Sequence, residues 1–434
     1  MSLFDEATLP ETALVDEATN ENFQKVVDFL NSDDDQMVIN GSAGTGKSYL
    51  LKGLVEYNIL PENTRFTATT NKAASVLSQY LERPVGTIFS LLGLIPKDNY
   101  NTGRTELKQI NEPELYGVRL VVIDEAYMLT KEVLQHLYKA TNDTITKILF
   151  IGDSYQLPPV FYKKSPIEDF VIPEIKLSKI YRTGDDGIID VSQQLRKNVD
   201  SLEFKKLLVN DSSVQMVDSV DFINEIVTTF QDDRNIAKIV AWTNNKVLNY
   251  NKFVSKLVHG KDDFEVGDIA ILNNPLMDNW GKVIAPIDSE VYIENIADYT
   301  VTEEDLRGFT YRLSIESRQI RISGNHYIYL ANNPGDVKKL MGIFATNKDW
   351  QNYFAVKNFF GDIRHPYSCT VHKSQGSTYN TVFIDVYDIC KNRKKYEVAK
   401  LMYVAATRAS DRIVFCENTE NIEKEAQMFG LITQ

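Results

Sequence analysis

Residues 41–48 read GSAGTGKS. Glycines at 41, 44 and 46 let a backbone curl until successive N–H groups face one anion, and a lysine and a hydroxyl follow directly. This is chemistry for a nucleoside triphosphate: Gly41, Ala43, Gly44, Thr45 and Gly46 supply the cradle, Lys47 reaches the β- and γ-phosphates, and the Ser48 hydroxyl can ligate Mg²⁺. A second set of groups is Asp124 and Glu125, at the end of the apolar run Leu120–Ile123. Asp124 suits a Mg²⁺ ligand, and Glu125 is placed to orient and deprotonate an attacking water. In GDSYQLPPV, Gln156 is a neutral side chain suited to the γ-phosphate or the lytic water. Arg182 in IYRT and Arg408 in YVAATRAS are candidate arginine fingers, because a planar guanidinium stabilises charge on transferring phosphoryl oxygens.

Such groups need rigid carriers. GSAGTGKS follows the short apolar run Met37–Ile39 and precedes a helical pattern through Leu50, Leu51 and Leu54, the strand–loop–helix context that a phosphate cradle requires. Further β-branched runs at Phe66–Ala68, Leu120–Ile123 and Ile148–Ile151 alternate with amphipathic stretches, which predicts a parallel sheet with crossover helices. In an open parallel sheet ligands gather at the carboxyl ends of strands, where Gly41, Asp124 and Gln156 would all fall. Ile236–Ala241, Val382–Val386 and Arg412–Cys416 repeat the style, so a second α/β unit is expected. Between Val266 and Leu330 strands dominate, and helical periodicity returns over Asp336–Phe360. Ile95–Asn111, with Asp98, Asn99, Asn101 and Gly103 at its centre, reads as a polar β-hairpin.

The chain of 434 residues is 43% hydrophobic, enough for two or more cores. No apolar run approaches the roughly 20 residues of a membrane span, and the start lacks the basic-then-apolar pattern of a signal peptide, so a cytoplasmic protein is expected. Three cysteines, Cys369, Cys390 and Cys416, form no CxxC pair and suggest neither a disulfide framework nor a zinc site. The net charge of −13 argues against a phosphate-rich partner only until its distribution is examined. Residues 1–36 hold ten acids and one base, Lys25, leaving a body close to neutral that can still carry a basic groove. The acidic start, residues 1–20, reads as a solvated flexible arm.

In chain order, GSAGTGKS, VVIDEAYM, GDSYQLPPV, IYRT, AWTNNK, TVHKSQGSTYNTV and LMYVAATRAS stand as the motifs of superfamily-one helicases do. The form HKSQGST, the short hairpin and the β-rich insertion resemble the RecD-like and Dda-like branch, superfamily 1B. The resemblance spans about residues 36–416. It implies an α/β architecture of two RecA-like P-loop NTPase domains. The first covers 21–94 and 112–185, interrupted by a β-hairpin pin at 95–111; the second covers 186–261 and 363–434, interrupted by an SH3-like β-rich domain with a helical extension at 262–362. It further implies an ATP-dependent, Mg²⁺-requiring DNA helicase moving 5′ to 3′ on single-stranded DNA, active at single-strand/duplex junctions and competent as a monomer. A single-strand-binding protein is left open as a partner.

Carried over onto this chain, the resemblance puts Gly376 near the γ-phosphate and Tyr181 on the adenine. Thr70, Asn71, Thr87, Phe89, Ser90, Thr243, Asn245, His372 and Lys373 match motifs that contact the strand, and Tyr100 at the hairpin tip is a candidate to stack on a base at the fork. Hydroxyls, amides and an aromatic suit a track that grips phosphates and stacks any base without reading sequence. The adenine-reading glutamine of the family has no clear counterpart: alignment from the cradle puts Thr19 or Asn20 there, with Gln24 a shifted candidate, so base preference is open. Phe89 stands where relatives often carry histidine, and Thr69 where many carry proline. Other readings of the motifs are an ATP-switched nucleic-acid-binding or assembly subunit, a translocase without strand separation, a small-molecule kinase, and a helicase preferring RNA.

Overall fold

The computed structural model describes residues 17–179, 186–210, 212–232, 237–277 and 283–418. Leu120, Val121, Val122 and Ile123 are all fully buried, as expected of a strand covered on both faces. They lie within a six-stranded, all-parallel sheet with strand order 86–87, 64–68, 120–124, 147–152, 36–41, 174–177. The helices Lys47–Glu56 and Asn71–Leu81 follow the phosphate-cradle strand and its neighbour-but-two, packing Leu50, Leu51, Leu54, Leu77 and Leu81 onto one face. Helix Glu17–Asn31 joins that face through Phe23, Val26, Val27 and Leu30. It takes in residues 17–20, which corrects the arm boundary read from charge; residues 1–16 lie outside the described set. The carbonyls near its carboxyl end are satisfied by Lys147 Nζ, which donates to Phe29, Ser32 and Asp34. The edge strand Glu174–Leu177 buries Ile175 and Leu177 and exposes Glu174 and Lys176, the alternation of a half-buried strand compressed into four residues.

A second parallel sheet has the order 368–370, 237–241, 379–385, 409–416, 214–217. Helix Lys395–Ala406 packs on it with every residue from Leu401 to Ala406 buried. Val386, grouped by composition with its strand, instead begins the short helix Val386–Cys390.

The β-rich segment between them forms a five-stranded sheet ordered 326–331, 314–322, 290–302, 269–272, 363–364, antiparallel at each pairing, with the small hairpin of Leu276–Met277 and Val283–Ala285 beside it. Its strands outrun their sequence signal. Glu290–Thr302 is a 13-residue strand, although the apolar alternation stops near Ile293, because its far end pairs with Ser314–Ile322 as a ribbon. The strand expected from Tyr311 starts only at Ser314. Helices Pro334–Thr346 and Trp350–Phe359 extend this unit. In the first unit, Leu94–Asn99 and Arg104–Gln109 pair as an antiparallel hairpin. Among the described residues no helix is long and apolar enough to cross a membrane.

Candidate functional site

Gly44 and Gly46 take left-handed backbone, φ +79 and +83, the conformation through which the loop turns its amides inward; a side chain at either position would be strained. Thr45 Oγ1 donates to Ser42 O across 2.8 Å and ties the loop to itself. Lys47 Nζ lies within the cradle, donating to Gly41 O at 2.6 Å and Ser42 O at 3.1 Å, while Ser48 is exposed at the start of the helix. These carbonyls compensate the ammonium only partly, so an anion in the cradle has a cation ready to meet it.

Asp124 and Glu125 stand at the carboxyl end of their strand. Glu125 takes left-handed backbone, φ +52, and its N–H donates to Asp124 Oδ1 at 2.9 Å. The turn therefore points two adjacent carboxyls into one region. Burial raises the Asp124 pKa above the ordinary carboxylate value. Burial and then the Asp124 charge push Glu125 up to about 7, opposed by Lys47 and by Arg408 of the second unit. Two adjacent carboxyls that resist ionising together, close enough to the cradle to feel the Lys47 charge, are oxygen donors of the kind a hard divalent cation takes.

Across from them stands the end of the second unit's helix Lys395–Ala406. Tyr403 Oη donates to Asp153 Oδ2 at 2.8 Å and accepts from Ala43 N at 3.4 Å, so one hydroxyl touches both the phosphate cradle and the third motif. Lys400 Nζ donates to Ser154 O at 2.9 Å, and Gln375 Nε2 lies 3.5 Å from both Gln156 Oε1 and Leu157 O. Tyr155 completes the joint: its hydroxyl donates to Asp200 at 3.2 Å, and Arg196 lies 4.4 Å from its ring centre. Arg408 is buried and donates to Val404 O, Ser377 O and Thr407 Oγ1 of its own unit. Gly376, φ +72, faces the first unit, since a Cβ there would lie 3.8 Å from Ala73 Cβ. Tyr181 and Arg182 lie outside the described residues. Of the candidates for a base-reading position, Thr19 is buried, and Gln24 donates to Asp28 at 2.7 Å along the exposed side of its helix.

Three residues assigned to a strand-binding track, Thr70, Thr87 and Thr243, share a local device with Thr370, which is not assigned there: each caps a helix that starts at a strand end, accepting from Ala73 N, Ser90 N, Lys246 N and Lys373 N at 3.1–3.3 Å. Capping uses a hydroxyl lone pair and leaves the O–H of Thr70 and Thr87 able to donate elsewhere. Thr243 differs, because its hydroxyl also donates to Asp388, whose carboxylate accepts from Trp242 N at 2.9 Å and Thr243 N at 2.7 Å. Asn71, Ser90 and Asn245 are exposed, and Phe89 is half-buried against the first core. Burial lowers the His372 pKa, leaving the ring neutral at physiological pH.

Between the two parallel sheets and the β-rich unit lies a cleft of about 220 Å³ lined by Lys72, Lys238, Arg364, Lys373, Tyr379 and Asp288, among others. Lys72 Nζ and Lys238 Nζ lie 5.9 and 5.2 Å from the centre of the Tyr379 ring. Of these six only Lys373 is a candidate strand contact by sequence, although Tyr379 lies in the same motif. The hairpin also reaches the β-rich unit: Tyr100 meets Phe354 edge-on at 5.5 Å, Asn358 Nδ2 donates to Asp98 at 2.8 Å, and Lys357 Nζ donates to Thr105 at 3.3 Å. Tyr100 thus rests on a helix with its other side exposed. Of the residues that sequence patterns missed, Tyr403 had a signal, a polar tip inside an otherwise apolar helical run that demands a partner. Asp388 and Asp288 had none.

Two family models match, one described as an AAA domain over residues 18–219 and one as a UvrD-like helicase C-terminal domain over residues 365–416. The chain is similar to an uncharacterized protein, R530, of Acanthamoeba polyphaga mimivirus, with 25% identity over 90% of this chain and 97% of that protein. It is similar to the ATP-dependent DNA helicase dda of Enterobacteria phage T4, with 24% identity over 89% and 95%. The ATP-dependent DNA helicase Pif1 of Campylobacter jejuni is 22% identical over 87% of each chain. Among solved structures, Pif1 helicase from Candida albicans aligns over 96% of this chain and 100% of that one, with 15% identity and a TM-score of 0.46.

Proposed function

From the membership of this chain in the Dda-, Pif1- and RecD-like helicases of superfamily 1B, we propose that it is an ATP-dependent DNA helicase that translocates 5′ to 3′ on single-stranded DNA and separates duplex ahead of it. The observation that carries this reading is the joint at Tyr403: one unit's helix grips both the phosphate cradle and the third motif of the other. A change at the γ-phosphate then has a direct route to the relative placement of the two units, which is what movement along a strand requires.

In this reading the loop from Gly41 to Ser48 holds the phosphates, Lys47 meets the γ-phosphate, and Gln156 and Gly376 sense it. Glu125 holds the attacking water and takes its proton. Ser48 and Asp124 would hold Mg²⁺, which supplies charge neutralisation at the phosphates. Arg408 leaves its own unit's carbonyls for the γ-phosphate as the units close, joined by Arg182, and Tyr181 stacks on the base. Thr70, Asn71, Thr87, Phe89, Ser90, Asn245, His372 and Lys373 line the strand's path, whereas Thr243 serves it by anchoring a helix start on Asp388. The hairpin acts as the pin, with Tyr100 at the fork, and the β-rich unit is taken as SH3-like. The enzyme is proposed to work as a monomer in the cytoplasm, on junctions of single-stranded and duplex DNA and alongside a single-strand-binding protein.

The test is unwinding of a partial duplex bearing either a 5′ or a 3′ single-stranded overhang, with phosphate release followed in the same tubes with and without DNA. Strand separation from the 5′ overhang alone, with DNA-stimulated hydrolysis, is the expected result. Stimulated hydrolysis without separation would mean a translocase or switch, and hydrolysis indifferent to DNA would overturn the substrate.

A further inference from the structure

Lys373 is the one cation of the cleft that both a strand-contacting motif and the geometry single out, and its ammonium is engaged within the protein. Nζ donates to Asp288 Oδ1 at 2.8 Å and to Asn273 Oδ1 at 2.6 Å. Both partners belong to the β-rich unit, while Lys373 belongs to the second parallel unit. Asn273 in turn donates to Asp362, whose carboxylate pairs with Arg364 at 3.3 Å. Two cleft cations are therefore each held by a carboxylate of the protein.

Asp288 is placed there by its backbone. It sits in the turn before strand Glu290–Thr302 with φ +66, a left-handed conformation that among side-chain-bearing residues Asn and Asp tolerate best. Its N–H donates to Leu272 O at 2.8 Å, which fixes the turn against the neighbouring strand. A carboxylate held in a tight turn and aimed at a lysine of another unit is a poor choice for stability alone, since the pair is about a third exposed, 29% for Lys373 and 32% for Asp288, and solvent screens it. Its geometry is that of a competitor. Both a carboxylate and a phosphodiester present anionic oxygens to an ammonium, and Asn273 and Asp288 engage two of the three N–H donors of Lys373 while the Asp288 charge offsets its attraction for a phosphate.

We propose that Asp288 is an affinity-setting residue of the DNA track, a carboxylate that occupies Lys373 in the absence of DNA and must yield it to a phosphate when the strand enters. This rests on the reading of Lys373 as a strand contact. The consequence is a track that releases DNA more readily than its cations alone would allow, which suits an enzyme that must let go at every step. It also couples strand entry to the β-rich unit, because breaking the contact frees the turn at 286–289 from the second parallel unit.

The test measures binding of fluorescein-labelled oligo(dT) by anisotropy, without nucleotide, for the wild type, Asp288→Asn, Lys373→Gln and the double variant. Asn keeps the left-handed backbone and removes only the charge. Asp288→Asn should tighten binding roughly two- to fivefold, the scale of a half-exposed ion pair. Lys373→Gln should weaken it and lower the salt slope by about one, and in that background Asp288→Asn should change nothing. Unchanged or weaker binding by Asp288→Asn, with Lys373→Gln still weakened, overturns the competition while the track stands. Equal tightening in both backgrounds means a general field effect and also overturns it. No loss of affinity in Lys373→Gln overturns the track assignment and the proposal together. Unfolding midpoints of all four proteins confirm that each is folded at the assay temperature.

Discussion

The hydroxyl of Tyr403 donates to the buried carboxylate of Asp153 across 2.8 Å, linking residues 250 apart in sequence and two different parallel sheets. Asp153 is 1% exposed, and its other oxygen accepts from Tyr155 N at 3.0 Å. Tyr403→Phe preserves the ring against Tyr155 and leaves one carboxylate oxygen without its donor, a loss of about 1–3 kcal/mol. A lower urea midpoint is expected, together with a roughly tenfold smaller ratio of DNA-stimulated to unstimulated ATP hydrolysis. A lower midpoint with the ratio intact would leave the contact a role in stability only.

Lys47 is the cation that the cradle keeps closest to its own carbonyls. Its removal should leave the fold intact, since no core contact depends on the ammonium, and lower ATP hydrolysis in the presence of single-stranded DNA by at least about a hundredfold. Phosphate release by Lys47→Ala at a rate near that of the wild type would sink the assignment of the nucleotide site.

The raised pKa of Glu125 has a definite sign in stability. In the folded, nucleotide-free protein it titrates at about 7 against an ordinary 4.5, so between those values the folded state holds a proton that the unfolded chain has lost. Its contribution to stability is present below about 4.5 and is lost as pH rises through about 7. Glu125→Gln removes the titration, so urea midpoints without divalent cation should show the variant gaining on the wild type across that window and holding its advantage above it. Parallel curves for the two proteins would mean that Glu125 ionises normally.

Gly103 closes the hairpin turn with φ +68, and a Cβ there would lie 2.5 Å from the Trp350 ring. Gly103→Ala should therefore lift the hairpin tip from the helix Trp350–Phe359, breaking the Tyr100–Phe354 contact. Because the hairpin is remote from the nucleotide cradle in sequence and in sheet position, DNA-stimulated hydrolysis should persist while unwinding of a partial duplex falls severalfold. Equal loss of both activities would show that the contact is needed for strand binding itself.

Much of the nucleotide site was legible in the sequence because its parts are local. A strand, a glycine turn and a helix start within a dozen residues set the cradle, and a single buried strand delivers Asp124 with Glu125. The capping threonines Thr70, Thr87 and Thr243 were legible for the same reason, since a helix cap is formed by residues three apart. The edge strand Glu174–Leu177 was not, because its alternation lasts only four residues, nor was the far half of Glu290–Thr302, which its partner rather than its own apolar pattern makes a strand.

The sequence by itself determined which residues can meet phosphate and which local elements carry them. Only the tertiary structure decided that Tyr403 answers Asp153, that Asp288 holds Lys373 from 85 residues away, and that the hairpin tip lies on Phe354. Backbone capping and strand periodicity act over a few residues and leave their mark on the nearby chain. A hydroxyl, a carboxylate or a ring that meets its partner across two folded units is chosen by how those units pack, and that geometry has no local spacing to record it.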